Sequence, residues 1–212
     1  YNKILVQRNN LLKQIRFQNN LIETLEAWDI QLVKYGSEVI KYREKFIKHL
    51  GEVCQKIHNK LTGGKEKILL EYDRDVGYDS YLTELAKKRQ KDLKYSTTTV
   101  GPHRDDISFI VNGIDIRKYG SQGQQRTAAL SLKLAQIQLM REVMKESPIL
   151  LLDDVLSELD SNRKTYLLES IKDTQTIITC TGLDEFISKH PVSYTTSPSP
   201  RDMRRSRMPS SA

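Results

Sequence analysis

One short run of aliphatic residues, which ends in two carboxylates, limits what this chain can fold into more than any other feature. Ile149–Leu152 follows Pro148 and leads directly into Asp153 and Asp154. Four consecutive aliphatic residues are typical of a strand buried on both faces, as the strands of a parallel sheet are. The β-branched segment Thr176–Thr179 is a candidate second strand. Because helical and strand patterns alternate here, we predict an α/β layer.

The composition excludes two classes of protein. Of the 212 residues, 38% are hydrophobic and 29% are charged, which supplies a core and excludes a fully disordered chain. No apolar run approaches the roughly 18–20 residues that cross a bilayer, so a membrane-embedded protein is excluded too. The formal charge of +7 is compatible with polyanionic partners but does not demonstrate them. Cys54 and Cys180 lie far apart without a His/Cys cluster, which favours a reducing, cytoplasmic compartment and argues against zinc.

The first part of the chain has helical periodicity. Leu11, Ile15, Ile22 and Leu25 follow the alternating four- and three-residue spacing of a heptad, with Gln18 at the polar position in between. A second apolar set runs from residue 33 to residue 61. We predict two helices with a break near residues 29–36, arranged as an antiparallel hairpin. An extended arm and an ordinary helix pair in a small bundle agree equally well with this pattern.

The pattern changes at residue 96. Ser96–Val100 is strand-like, residues 101–105 (Gly-Pro-His-Arg-Asp) predict a turn, and Asn112-Gly113 between two apolar segments predicts a hairpin. A long helix is expected over residues 122–146. Residues 190–212 are rich in Ser, Thr, Pro and Arg, and we interpret them as a disordered or atypical tail.

Two positions in this second part carry candidate chemistry. An aspartate such as Asp153, at the carboxyl end of a buried parallel strand, is well placed to hold Mg²⁺, and a neighbour such as Asp154 can orient a water molecule. Residues 120–126 (Gly-Ser-Gln-Gly-Gln-Gln-Arg) open the long helix, where free N–H groups and the helix dipole attract anions. Considered alone, Asp153 and Asp154 could be a helix cap, and Ser121 a simple N-cap.

The order of these motifs resembles the ABC-type ATPases. A Ser-x-Gly-Gln signature is followed by a strand that ends in Asp-Asp, as Walker B does, and by Ser-x-Leu-Asp with Asp160, as in a D-loop. Three segments resemble the RecF family of bacterial recombination mediators, which are related to SMC proteins: Gly101–Asp106, Ser121–Thr127 and Pro148–Asp160. The resemblance covers roughly residues 1–189 and is strongest over 101–181.

The resemblance implies a fold and a set of roles. The fold class would be α/β, part of an ABC-type ATPase head (96–189) with an inserted helical, coiled-coil-like arm (1–95) similar to lobe II. Two heads of this family sandwich two ATP molecules. Asp153 would serve Mg²⁺, Asp154 would take the position of the catalytic Glu, and Asp160 would reach across the dimer interface. The signature of one head would contact the γ-phosphate of ATP held by the other, through Ser121, Gln122, Gly123 and Gln124.

The resemblance also implies a function for the whole protein. It would be a DNA replication and repair protein, an ATP-dependent dimerising clamp that binds DNA at single-strand gaps, helps to load recombinase and supports the SOS response. The partners implied are gapped or junction DNA, a second copy of the chain and a RecR-type mediator protein, without a membrane. A slow DNA-dependent ATPase is expected of the full-length protein.

The sequence departs from the family pattern in several ways. It contains no Walker A motif; Gly63-Gly64-Lys65 lacks the first glycine and is followed by Glu66, so it predicts a connector. We therefore expect a C-terminal part of a longer protein that binds ATP poorly alone. Asp154 is one methylene shorter than Glu, which suggests slow hydrolysis. Cys180-Thr181 stands where a switch His is common.

Several alternatives stay open. The chain could be a non-enzymatic helical interaction module or the head of another ABC or SMC-type ATPase, such as a transporter's. His103 and Arg104 could lie at an interface or near DNA, although a hydrogen-bonded turn is the simpler interpretation. Arg126 could pair with phosphate or with an aspartate. Basic residues such as Lys41 and Arg43 could contact DNA phosphates or only keep an exposed helix soluble.

Overall fold

The N-terminal helices form an antiparallel pair. The structure is a computed structural model that describes residues 1–145 and 147–179. Helix α1 spans Asn2–Ile15 and α2 spans Leu25–Leu61, joined by a 3₁₀ turn at Asn19–Thr24. The Arg8 guanidinium donates to Asp29 at 2.6 Å, and Leu12 shares a buried cluster with Leu25. Since residues later in α1 meet residues earlier in α2, the predicted antiparallel hairpin is confirmed.

The predicted break near residues 29–36 is wrong, because α2 is continuous there. The polar residue Asp29 is buried inside the helix, where its carboxylate accepts hydrogen bonds from Arg8 and from Arg89. Gly36 provides room for the ring of Tyr81, since a Cβ at Gly36 would lie 2.5 Å from that ring. The residues that suggested a turn instead allow other helices to approach α2.

A third helix completes a small helical group. Helix α3 spans Tyr81–Tyr95 and contacts both α1 and α2. Its buried Tyr81 and Leu85 share a cluster with Leu32 and Ile40 of α2. The hairpin is therefore packed as part of a helical group rather than extended alone, at least over its first half.

A three-stranded antiparallel sheet follows, in the order β1–β2–β3: β1 is Ile68–Asp73, β2 is Asp106–Val111 and β3 is Ile114–Asp115. In the turn between β2 and β3, Asn112 has φ 48° and Gly113 has φ 84°, as a tight hairpin requires. The predicted hairpin is confirmed.

The strand-like prediction for Ser96–Val100 is wrong. This segment forms no strand, because side chains of other elements satisfy its polar groups. The Thr98 N–H donates to Asn9 Oδ1 at 2.8 Å, and the Thr99 N–H donates to Asp92 Oδ1 at 2.8 Å. Helices α1 and α3 therefore hold this segment where a neighbouring strand would otherwise be needed.

The last described part confirms the α/β prediction. Helix α4 spans Ile116–Tyr119, α5 spans Gln122–Met144 and α6 spans Ser161–Ile171. Strands β4 (Leu150–Asp153) and β5 (Thr176–Thr179) pair in parallel, with Leu151 opposite Ile177. Burial on both faces is not observed: Leu152 is 7% exposed but Leu151 is 70% exposed, so helices cover one face of this sheet.

The main core joins the two halves of the chain. Val53, Cys54 and Leu61 of α2 share one buried cluster with Leu134 of α5 and Leu167 of α6. Strand β1, which precedes residue 95, pairs with β2, which follows it. Contacts thus cross the division between an arm (1–95) and a head (96–189), and that division stays a prediction.

The remaining expectations on the fold concern the termini and the bilayer. No helix in the described part of the chain combines the length and the apolar character needed to cross a bilayer. The Cys180-Thr181 position and residues 190–212 lie outside the described residues.

Candidate functional site

The signature segment is the capped start of α5. Ser121 is the N-cap: its Oγ accepts from the Gln124 N–H at 3.2 Å, and Gln124 Oε1 accepts from the Ser121 N–H at 3.1 Å. This reciprocal pair is a capping box. Ser121, Gln122 and Gly123 are exposed. The N-cap interpretation is therefore confirmed as geometry, and the first N–H groups of α5, which have no acceptor inside the helix, point outward from it.

A series of hydrogen bonds, which the sequence did not predict, connects this cap to buried residues of the protein. The Gln124 side-chain amide donates to Glu66 Oε1 at 3.2 Å, and the other Glu66 oxygen lies 3.2 Å from His58 Nε2. His58 Nδ1 lies 2.9 Å from the hydroxyl of Ser131, a residue further along α5. Glu66 and His58 thus connect the signature turn to the end of α2.

This series of hydrogen bonds ends within α5. The Ser131 hydroxyl donates to the Thr127 carbonyl at 2.7 Å, and the Thr127 hydroxyl donates to the Gly123 carbonyl at 2.7 Å. Burial lowers the pKa of His58, which is fully buried; Arg163 lowers this pKa further, while Glu66 opposes the shift. The imidazole thus bridges Glu66, at Nε2, and Ser131, at Nδ1.

The second candidate surface lies at the carboxyl ends of β4 and β5. The Thr179 hydroxyl donates to Asp153, and the Asp154 N–H donates to the Thr179 carbonyl at 2.9 Å. Asp154 has φ 50°, a left-handed conformation that aspartate tolerates better than most residues. Both aspartates are exposed. Parallel pairing therefore brings Thr179, which sequence reasoning did not single out, against the Asp153-Asp154 pair.

Asp160 caps the next helix. Its carboxylate accepts from the Arg163 N–H at 3.0 Å and forms an ion pair with the Arg163 guanidinium at 3.4 Å. The Asp160 side chain is 56% exposed, so it remains accessible at the start of α6. Its predicted place at a dimer interface stays a prediction.

The residues at Asp153 fit magnesium better than a metal held by protein ligands alone. In residues 1–145 and 147–179, no group of three or more His, Cys, Asp or Glu side chains could hold a metal ion. Mg²⁺ commonly uses one or two carboxylates and completes its octahedron with water and substrate phosphates. The exposed Asp153 carboxylate, which the Thr179 hydroxyl orients, could supply such a protein ligand, with exposed Asp154 beside it.

The Gly-Pro-His-Arg-Asp segment has a structural role. His103 Nε2–H donates to the Thr98 carbonyl at 3.1 Å, and its Nδ1 accepts from the Tyr1 hydroxyl at 2.7 Å. The nearly buried Asp105 carboxylate accepts from Tyr72 and, at 3.0 Å, from Arg43. These bonds confirm the turn interpretation for His103 and Asp105. They also show that Arg43 forms an ion pair within the protein.

Comparisons with known proteins agree with one another. The chain is 59% identical over 187 residues to the DNA replication and repair protein RecF of Agathobacter rectalis, which covers 88% of this chain and 52% of that protein. RecF of Clostridium perfringens is 47% identical over 193 residues, covering 89% and 53%. The chain spans about half the length of these curated relatives. No protein-family model matches it.

Solved structures show the same similarity. The structure of the recombination mediator protein RecF-ATP in the RecFOR pathway matches with a TM-score of 0.78 at 39% identity, covering 87% of this chain and 52% of that one. The corresponding RecF-ATPrS structure matches with a TM-score of 0.75 at 38% identity, covering 86% and 52%.

Proposed function

We propose that this chain, which is similar in sequence and fold to about half of RecF, is the part of a RecF-type DNA replication and repair protein that carries the signature motif and Walker B. The observation that carries the proposal is the pair of exposed surfaces: a capped helix start at Ser121 and a carboxylate pair at Asp153 and Asp154. These lie within a fold that matches a RecF-ATP structure.

The signature surface serves a nucleotide bound to a second copy. We assign Ser121, Gln122, Gly123 and Gln124 to this contact. The N–H groups of Gln122 and Gly123 attract a γ-phosphate, and the capping box between Ser121 and Gln124 holds the turn that presents them. The geometry supports this role because Gln124 is already held in the capping box while Ser121 stays exposed. ATP then stabilises the dimer, because it is contacted from both copies only when they associate.

The carboxylate surface serves the nucleotide of its own copy. Asp153 would hold Mg²⁺, and the ion would neutralise phosphate charge. Asp154 orients the attacking water, and its short side chain makes hydrolysis slow. Asp160, exposed at the start of α6, contacts the partner copy. The phosphate cradle is absent from these 212 residues, and we assign it to the remainder of the full-length protein.

The whole protein acts as an ATP-dependent clamp on DNA. We assign it to single-strand gaps and duplex junctions in the cytoplasm, with a RecR-type mediator as partner, where it helps to load recombinase and supports the SOS response. In this scheme the helical group of residues 1–95 is the arm and residues 96–189 belong to the head. Lysines on the outer face of α2, such as Lys45 and Lys48, are available for phosphate contacts without base readout.

Ser121→Arg in the full-length protein tests the signature role. An arginine there is accommodated sterically because Ser121 is exposed, and loss of the cap costs only about 1 kcal/mol. We expect ATP-dependent dimerisation, measured by sedimentation velocity, to be lost while ATP binding to the monomer is unchanged. The matched control is Ser80→Arg, at the exposed N-cap of α3. Dimerisation by Ser121→Arg at the wild-type ATP concentration would remove the assignment.

The full-length protein can also be used to test the role of the carboxylate surface and the binding of DNA. Asp154→Asn is expected to dimerise with ATP but to lose turnover by at least about a hundredfold, as for loss of a general base. Binding of a gapped duplex, measured with and without ATP, is expected to strengthen with ATP. Unchanged turnover in Asp154→Asn would show that another group orients the water.

A further inference from the structure

The hydrogen-bonded chain beneath the signature turn connects two parts of the molecule that the proposed function treats separately. Glu66 lies in the connector between α2 and β1, and His58 lies in the last turn of α2. Both reach α5, at Gln124 and at Ser131. Helix α2, which packs with α1 and α3 over its first half, therefore contacts α5 through its last turn.

Glu66 determines how the side-chain amide of Gln124 is turned. The amide oxygen accepts from the Ser121 N–H at 3.1 Å and from the Ser121 hydroxyl at 3.3 Å. The amide nitrogen must then find an acceptor elsewhere, and Glu66 Oε1 supplies it at 3.2 Å. A reversed amide would place two donors together at Ser121 and two acceptors together at Glu66. The carboxylate thus permits only the orientation that closes the capping box.

His58 in turn holds Glu66. The Glu66 side chain is 19% exposed and His58 is fully buried, so their contact is sheltered from solvent. A hydrogen bond to a charged carboxylate in such a place is stronger than one between neutral groups. The imidazole also contacts Ser131, so Glu66 is tied to α5 at two positions, Gln124 and Ser131.

We propose that Glu66 and His58 are positioning residues for the signature turn, through which α2 sets the geometry of Ser121 and Gln124 toward the nucleotide of the partner copy. This inference rests on the proposed function of the signature surface. In this proposal the end of α2 controls the contact with the nucleotide indirectly, through two side chains that do not touch the nucleotide themselves.

Two substitutions at one position test the proposal in the full-length protein. Glu66→Ala removes the acceptor for Gln124, and we expect the ATP concentration at half-maximal dimerisation to rise about tenfold, while ATP binding to the monomer is unchanged. Glu66→Gln keeps an acceptor for Gln124 and can donate to His58 Nε2 when Nδ1 carries the imidazole proton, so we expect it to stay within about threefold of wild type. Glu71→Ala, exposed on β1, is the matched control.

Hydrogen exchange of the peptide that covers residues 120–125 gives a reading that does not depend on dimerisation. Exchange without nucleotide should be faster in Glu66→Ala and unchanged in Glu66→Gln and Glu71→Ala. Wild-type exchange and dimerisation in Glu66→Ala would overturn the inference, as would an equal loss in Glu66→Gln. If Ser121→Arg dimerises normally, the proposed function fails, and the exchange rates still decide whether Glu66 positions Gln124.

Discussion

At the scale of single residues, Gly101 shows how a turn depends on the absence of a side chain. Its φ is 134°, a conformation that L side chains rarely adopt. A Cβ there would collide with the hydroxyl of Tyr81 and lie 2.8 Å from the hydroxyl of Tyr1. The Gly101 N–H donates to Asp75 at 2.9 Å, which fixes the backbone in this conformation. The turn that positions His103 therefore requires glycine for two independent reasons.

We expect Gly101→Ala to lower the free energy of unfolding by about 3 kcal/mol, from backbone strain and overpacking together. Gly63→Ala is the control: Gly63 has φ 59° and a Cβ added there would meet no atom within 4 Å, so only backbone strain of about 1 kcal/mol is expected. Urea unfolding measures both. Equal losses for the two variants would show that the contact with Tyr81 is not tight.

At the scale of elements, one buried arginine joins three helices. Arg8 of α1 donates to Asp29 of α2 at 2.6 Å and to Asp92 of α3 at 2.8 Å, and Arg89 adds a bond to Asp29 at 2.8 Å. The side chains of Arg8 and Asp92 are fully buried. Two arginines and two aspartates balance in charge, which permits the burial of Arg8, Asp29 and Asp92, while Arg89 stays partly exposed. Such a network specifies how helices pack more than it adds net stability.

Asp92→Ala leaves the Arg8 charge without one partner, and it removes the acceptor for the Thr99 N–H. We expect the free energy of unfolding to fall by about 3–5 kcal/mol. Glu84→Ala removes an exposed ion pair with Lys87 on the same helix and should leave stability unchanged within error. Chemical unfolding compares them. A small loss in Asp92→Ala would mean that Asp29 and the Thr98 hydroxyl, which also accepts from Arg8 at 2.8 Å, together satisfy the guanidinium.

At the scale of the whole molecule, the parallel sheet has one covered face and one open face. Leu151 is 70% exposed and its neighbour Ile177 is 56% exposed, with Ile149 in line at 62%. Val143 at the end of α5 is 81% exposed. Adjacent exposed aliphatic side chains on paired strands favour association with other apolar surfaces. The open face of this sheet is therefore an exposed apolar surface.

We expect this chain, produced by itself, to self-associate at micromolar concentration, and Leu151→Lys to reduce that association because a charge then lies on the open face. Sedimentation velocity over a concentration series measures the effect. Leu69→Lys, on the separate antiparallel sheet where Leu69 is 48% exposed, is the control and should not reduce association. A monomeric wild-type chain would contradict the expectation.

The signals that sequence reasoning interpreted correctly are local ones. Asn112-Gly113 determines a tight turn through its own backbone preferences, and Ser121 with Gln124 caps α5 within four residues. The aliphatic run before Asp153 forms a strand because hydrophobic periodicity and length act over a few residues. The amino-acid order by itself therefore determined the β2–β3 hairpin, the start of α5 and the strand that ends at Asp153.

Tertiary structure decided what depends on residues distant in the chain. Asp29 and Gly36 look like a break until Arg8 and Tyr81 are placed against them. Glu66 and His58 become part of the candidate site only because α2 packs against α5, and Thr179 joins Asp153 only because β5 pairs with β4. The physical reason is common to all three: hydrogen bonds and close packing act between atoms in contact, whatever the separation of their residues along the chain.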